Sequence, residues 1–321
     1  MARADLLIDI VAAARGGDSE LLERAVHALA AEERANQHQV LADRLEGALR
    51  RNGTPNAGPE LASDPNGLFS IRSPRRRLNE MVLPPAVRRI CGEFIEEHHR
   101  AELLRSHGLE PRNRVLLIGP PGNGKTTLAE AIAEALVVPM VMLRYDSIIG
   151  SYLGETARQL GAVFAFVRSR RCVLFIDEFD AIAKERGDVH ETGEIKRVVS
   201  SLLLLIDDVP SHVVVVAASN HPELLDRASW RRFQVQLQLP QPTRTAVGEW
   251  LGLFQTRMTP GFRMPHTLLA ERLAGASFAE IEEFAMSALR RWILDGPDAD
   301  SLKIARRLLA DWQRRPRVGS R

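Results

Sequence analysis

The chain of 321 residues contains only two cysteines, Cys91 and Cys172, far apart and in unrelated contexts. That excludes a disulfide framework and fits a reducing compartment. Aromatics make up 5% of the chain, with two tyrosines in all, so the core has to rest on Leu, Val, Ile and Ala. No stretch approaches the roughly 18 uninterrupted apolar residues of a membrane span. The apolar N-terminus is broken by Asp5 and Asp9, which suits an amphipathic helix and not a signal peptide. Neither sign of charge dominates: the formal net charge is +2, too small to draw the protein to nucleic acid or a membrane surface. Arginine does cluster at Arg75, Arg76 and Arg77 and at Arg314, Arg315 and Arg317, and both clusters read as solvated ends. Also missing are a His-Glu-x-x-His zinc motif and a G-x-S-x-G elbow, so no protease chemistry is expected in this chain. The adjacent His98 and His99 do not substitute for the former, because neighbouring residues point to different sides of a helix. The expectation is a soluble cytoplasmic protein without membrane contact.

What is present divides along the chain. Residues 1–51 read as helical, with Leu6, Leu7, Ile10, Val11 and Ala14 at helical spacing and Gly16-Gly17 as a break. Residues 52–69, rich in Gly, Pro, Asn and Ser at their start, read as a linker. Over 70–241 the apolar runs Val115–Ile118, Met140–Leu143, Val173–Ile176, Val213–Ala217 and Val235–Leu239 alternate with helical stretches. Most of these runs are apolar throughout, the mark of strands buried on both faces of a parallel sheet. The expected fold is therefore a doubly wound α/β domain with right-handed crossovers. Residues 242–321 read as a small all-α domain of about four helices ending in a basic tail.

Strand Val115–Ile118 runs straight into Gly119, Pro120, Pro121, Gly122, Asn123, Gly124, Lys125, Thr126 and Thr127, followed by a helix from about Leu128. This is G-x-x-x-x-G-K-[ST] in a strand–loop–helix setting. Glycines let backbone N–H groups converge on phosphate oxygens, and the helix N-terminus adds partial positive charge. Lys125 suits the outer phosphates and Thr126 suits Mg²⁺. The strand ending at Ile176 delivers Asp177 and Glu178 to its carboxyl end. Asp177 suits a direct or outer-sphere place at Mg²⁺, and Glu178 suits orientation or deprotonation of the attacking water. Asn220 emerges where the fourth run stops and can reach the γ-phosphate or that water. Asp180 fits either this site or a helix cap.

Taken in order, "GPPGNGKT", "LFIDEFD", "AASN" and "LLDRASWRRF" resemble an AAA+ ATPase, close to the clade of FtsH, katanin and spastin. The resemblance covers about residues 78–313. It implies ATP and Mg²⁺ as ligands, and a homo-oligomer, in the family form a hexamer, with active sites completed between subunits. It places Arg231 and Arg232 as arginine fingers, although the Pro-Gly that normally separates the family's arginines is absent. It makes the C-terminal helices a lid, with Ser277 to Glu280 near adenine and ribose and Phe278 bulkier than the usual glycine. It also makes Tyr152, Leu153 and Gly154 an aromatic-hydrophobic-glycine pore loop that grips substrate, with a second loop near 184–194.

The resemblance thus implies a protein-remodelling motor that threads polypeptide through a central pore. Similar compact bacterial ATPases imply a separate subtilisin-like serine protease as partner, with the 1–51 arm as a recruiting element. An ATP-switch chaperone for one partner enzyme is the alternative. A nucleic-acid motor or loader ranks lower, because no helix-turn-helix, zinc cluster or basic pore loop is found.

Overall fold

The computed structural model describes residues 28–29, 67–144, 153–180, 193–255, 261–296 and 299–313. The chain divides into two units, Met1–Gly58 and Pro59–Arg321. In the first, only Ala28 and Leu29 are described, both helical, so the reading of 1–51 lies otherwise outside the described residues. The basic tail at Arg314, Arg315 and Arg317 lies outside them too, as do Tyr152 and residues 184–192 of the second loop.

The second unit opens with β1 (Phe69–Arg72), a 3-10 turn at Leu78–Glu80, α1 (Pro85–His99) and α2 (Ala101–Ser106). There follow β2 (Arg114–Ile118), α3 (Lys125–Ala135), β3 (Met140–Leu143), α4 (Leu153–Arg168), β4 (Cys172–Ile176) and α5 (Gly193–Asp207). β5 (Val213–Ser219), α6 (Arg227–Arg232) and β6 (Val235–Gln238) complete the sheet region. Four helices close the described chain: α7 (Arg244–Gln255), α8 (His266–Arg272), α9 (Phe278–Asp295) and α10 (Ser301–Gln313).

The six strands form one sheet in the order β1-β3-β4-β5-β2-β6. Every pairing is parallel except β1 with β3, where Phe69 faces Leu143 and Arg72 faces Met140. The five strand runs expected from the sequence are all present. β1 was not expected: its four residues are too few to show a period, and Phe69 falls in the segment read as linker.

Continuous apolar runs form these strands because both faces are covered. In β2, Val115 and Leu117 point to a core with Val87, Cys91 and Phe94 of α1 and Leu128 and Ile132 of α3. Leu116 and Ile118 point the other way, to Val163 and Phe164 of α4 and Leu202 and Ile206 of α5. The period-two geometry of a strand separates neighbours in this way, and a double cover demands apolar residues at every position. Seven consecutive buried residues in β5 meet that demand. At the edge, β6 alternates buried and exposed.

Helices α7 to α10 pack around a core of their own, centred on Leu251, Phe262, Leu273, Ile281 and Phe284. Among the described residues no helix is long and apolar enough to cross a membrane. Cys91 and Cys172 are free and buried, and burial pushes their thiols up to about 11 and about 12.

Candidate nucleotide site

The carboxyl ends of β2, β4 and β5 lie side by side in the sheet, so the segments that follow them share one edge. Between these ends and the C-terminal helices lies a cavity of about 680 Å³, the size of a small-molecule site. It is lined by Pro121 to Thr127, Asp177, Glu178 and Asn220 on one side. On the other side stand Arg76, Arg77, Asn79 to Leu83, Trp250, Leu253, Phe254, Phe278, Ala279 and Glu282.

The loop after β2 needs its glycines for contact as well as for flexibility. A Cβ on Gly119 would lie 2.0 Å from the Leu239 carbonyl oxygen. Gly122 and Gly124 both have left-handed backbones, with φ of 76° and 86°. Gly124 then caps α3, leaving Lys125 at its first position. The Lys125 ammonium is buried and donates to the carbonyls of Gly119 (2.7 Å) and Pro120 (3.1 Å) and to Asn220 Oδ1 (2.5 Å). Burial lowers its pKa from the ordinary lysine value, with Asp177 and Asp180 acting in the opposite direction. Lys125 and Asn220, remote in sequence, are thereby in direct contact.

Asp177 and Glu178 follow β4 and are exposed to the cavity. Glu178 has φ of 50°, a left-handed backbone that costs a non-glycine residue on the order of 1–3 kcal/mol. Its N–H donates to Asp177 Oδ1 at 2.9 Å, which helps hold the turn. Asp180 does not cap a helix: its own backbone is helical, and its buried carboxylate accepts the Asn220 N–H at 3.0 Å. It braces the end of β5 against the end of β4, a role its spacing did not reveal.

The opposite wall is held by side chains. Glu130 of α3 accepts the backbone N–H groups of Arg75 (2.8 Å) and Arg76 (3.3 Å). Arg88 of α1 donates to the carbonyls of Met81 (2.5 Å) and Leu78 (3.3 Å). Arg76 pairs with Glu282 at 3.7 Å and Arg77 with Glu134 at 3.4 Å. Read as a solvated end, this arginine run is exposed but engaged: it straps the cavity wall to α3 and α9.

The remaining candidates lie apart. Arg231 and Arg232 end α6 and line no part of the cavity. Arg232 pairs with Asp207 at 3.0 Å, and Asp207 also receives Arg114 at 2.9 Å. Arg231 is exposed and makes no ion pair among the described residues. Leu153 and Gly154 form the first turn of α4, directly after Tyr152. Ser277 and Glu280 close a capping box on each other, while Phe278 and Ala279 line the cavity. His98 and His99 bind different carbonyls, those of Arg112 and Ala135, and the described residues contain no cluster of three or more His, Cys, Asp or Glu fit to hold a metal.

A strand-borne glycine loop, a buried lysine and a carboxylate pair around one cavity define a phosphate-handling enzyme of the P-loop class. Residues 115–241 match the family described as "ATPase family associated with various cellular activities (AAA)". The chain is 37% identical over 307 residues to the uncharacterized AAA family ATPase y4kL of Sinorhizobium fredii, covering 92% of this chain and 91% of that protein. It is 28% identical over 311 residues to an AAA ATPase forming ring-shaped complexes from Kocuria rhizophila, covering 85% of this chain and 53% of the relative. It is 34% identical over 196 residues to a proteasome-activating nucleotidase of Methanothermobacter thermautotrophicus, covering 59% and 48%. The chain belongs to the AAA ATPase family and hydrolyses ATP.

Proposed function

We infer that the protein is a ring-forming motor that uses ATP hydrolysis to remodel or unfold polypeptides. The observation that carries this reading is the meeting of Lys125, Asp177, Glu178 and Asn220 at one cavity in a chain of this family. The loop 119–127 holds the triphosphate through backbone N–H groups, and Lys125 exchanges its carbonyl partners for phosphate oxygens. Glu178 orients the attacking water and takes its proton, while Asn220 fixes the outer phosphate or that water.

The donors present fit Mg²⁺. Thr126, Asp177 and Glu178 offer a hydroxyl and two carboxylates beside the loop, and Mg²⁺ is commonly held by one or two carboxylates together with substrate phosphates. Thr126 and Asp177 would hold the ion, which supplies charge neutralisation on the phosphates.

Arg231 reaches the neighbouring subunit's nucleotide, and Arg232 braces α6 through Asp207. Arg231 is exposed and makes no ion pair among the described residues, which supports this division. A site completed in trans requires a head-to-tail homo-oligomer, and a closed ring of six is the form proposed. The ring-shaped complexes of the Kocuria relative support it. The C-terminal helices act as a lid. Tyr152, with Leu153 and Gly154, grips substrate at the ring's centre, where an aromatic offers large apolar contact at little entropy cost. A separate serine protease receiving the unfolded chain, and a cytoplasmic location, complete the proposal.

The test pairs two variants. Glu178→Gln should bind ATP without turnover and retain polypeptide on an assembled ring. Tyr152→Ala should hydrolyse ATP yet fail to unfold a tagged reporter protein. Normal unfolding by the Tyr152 variant would sink the threading mechanism. Recovery of a single partner enzyme on the Glu178 trap would favour an ATP-switch chaperone.

A further inference from the structure

The first turn of a helix has N–H groups that the helix itself cannot satisfy. In α9 the first four are all accounted for, in two different ways. The Ser277 N–H donates to Glu280 Oε2 at 2.7 Å, and the Glu280 N–H donates to Ser277 Oγ at 3.3 Å. That is a capping box, internal to the helix. The two between them go outside it. The Ala279 N–H donates to the Gly122 carbonyl at 2.9 Å, and the Phe278 N–H to Asn123 Oδ1 at 3.4 Å. Both acceptors belong to the phosphate-binding loop, more than 150 residues away in sequence.

The approach is close enough to require a glycine. A Cβ on Gly122 would lie 2.9 Å from Ser277 Oγ and 3.2 Å from Ala279 Cβ. Asn123 is 4% exposed, and its Nδ2 is buried without a hydrogen-bond partner among the described residues. That fixes the amide's orientation, since the reverse would set Nδ2 against the Phe278 N–H, donor to donor. It also sets the bond to Phe278 against an unpaired buried donor, so the contact is held only narrowly. Two further ties join the same part of the chain to the sheet region: Gln241 donates to the Gly275 carbonyl at 2.5 Å, and Arg76 pairs with Glu282 at 3.7 Å.

We propose that Gly122 and Asn123 serve as an external N-cap for α9, so that the seating of α9 and the conformation of the phosphate-binding loop form a single coupled equilibrium, with Asn123 as its positioning residue. This rests on the loop being the triphosphate site and deepens that reading. A nucleotide that draws the loop backbone onto its phosphates redistributes the acceptors that cap α9. By linkage, whatever shifts α9 changes nucleotide affinity by the same factor. The signal from phosphate to helix then passes through two named hydrogen bonds.

Amide hydrogen exchange on the full chain tests this, with wild type, Asn123→Ala and Asn123→Asp each measured with and without ADP. Without nucleotide, Asn123→Ala should speed exchange over Phe278–Glu280 about fivefold, the scale of one lost cap. Asn123→Asp keeps an acceptor at the helix N-terminus and should retain wild-type protection there, even though its charge weakens ADP binding. Adding ADP should alter protection of this segment in wild type and alter it less in Asn123→Ala, which keeps only the bond from the Ala279 N–H to the Gly122 carbonyl. Equal exchange over Phe278–Glu280 in wild type and Asn123→Ala would overturn the proposal. So would equally fast exchange in the Ala and Asp variants. The arms without nucleotide read the cap whether or not ADP binds, so failure of the triphosphate reading shows separately, as absent ADP binding by the wild type.

Discussion

The loop side of the cavity, Pro121 to Thr127 with Asp177, Glu178 and Asn220, is built from the ends of three neighbouring strands. The opposite wall, Arg76, Arg77 and Asn79 to Leu83 with Trp250, Phe254 and Phe278, hangs on side chains: Glu130 and Arg88 hold the strap, and the helices keep a separate core. Strand ends inherit the rigidity of a sheet buried on both faces, so the loop side can hold groups in costly states. It accommodates a buried ammonium and a left-handed Glu178. The wall can move by exchanging exposed ion pairs such as Arg76–Glu282, each worth about 0–1 kcal/mol. The chemistry proposed above thus falls on the side built from the sheet, and the displacement we propose falls on the wall.

The contrast can be broken in several places. The largest effect asks whether the two sides suffice without a neighbour. Arg231→Ala should lower kcat about a thousandfold or more, as loss of an arginine finger does, with an unchanged melting temperature. Arg232→Ala, losing the brace to Asp207, should instead lower the melting temperature. If Arg231→Ala turned over normally, the single-chain cavity would be the complete site.

Next, Lys125→Ala on the stiff side should weaken ATP binding by about a hundredfold, from loss of charge-assisted bonds to phosphate, as titration of a fluorescent nucleotide would measure. Asp180→Ala should cost about 1–3 kcal/mol of stability by stripping the Asn220 N–H of its partner, and should slow hydrolysis more than it weakens binding. The smallest effect lies on the wall. Phe278→Ala should weaken nucleotide binding by about fivefold to tenfold through lost apolar contact, with Phe278→Leu retaining most of it. A wall variant that abolished turnover while binding stayed normal would overturn the division of labour.

The same contrast explains what could be read from the sequence. The phosphate loop, Asp177-Glu178 and Asn220 were legible because each terminates a continuously apolar run, and a polar residue leaving a buried strand has few places to go. Their neighbours in space, β1, the arginine strap and Asp180, carried no comparable signal. Arg75 to Arg77 look like any exposed basic run until Glu130, Glu134 and Glu282 stand opposite them, and those partners lie 54 to more than 200 residues away. Asp180 is the second helical residue after β4, where its bond to the Asn220 backbone depends on how β4 and β5 align. The external cap on α9 was equally hidden, since the capping box at Ser277 and Glu280 reads as complete by itself.

Cys91 lies in the core on one face of the sheet and Cys172 in the core on the other. With both thiols buried and pushed to about 11 and about 12, the native chain presents almost no thiolate to an electrophile. Each sulfur becomes reactive only when its own face opens. The molecule therefore carries two internal clocks, one behind the α1–α3 layer and one behind the α4–α5 layer, and their separate rates would tell whether the sheet sheds its two coats together or one at a time.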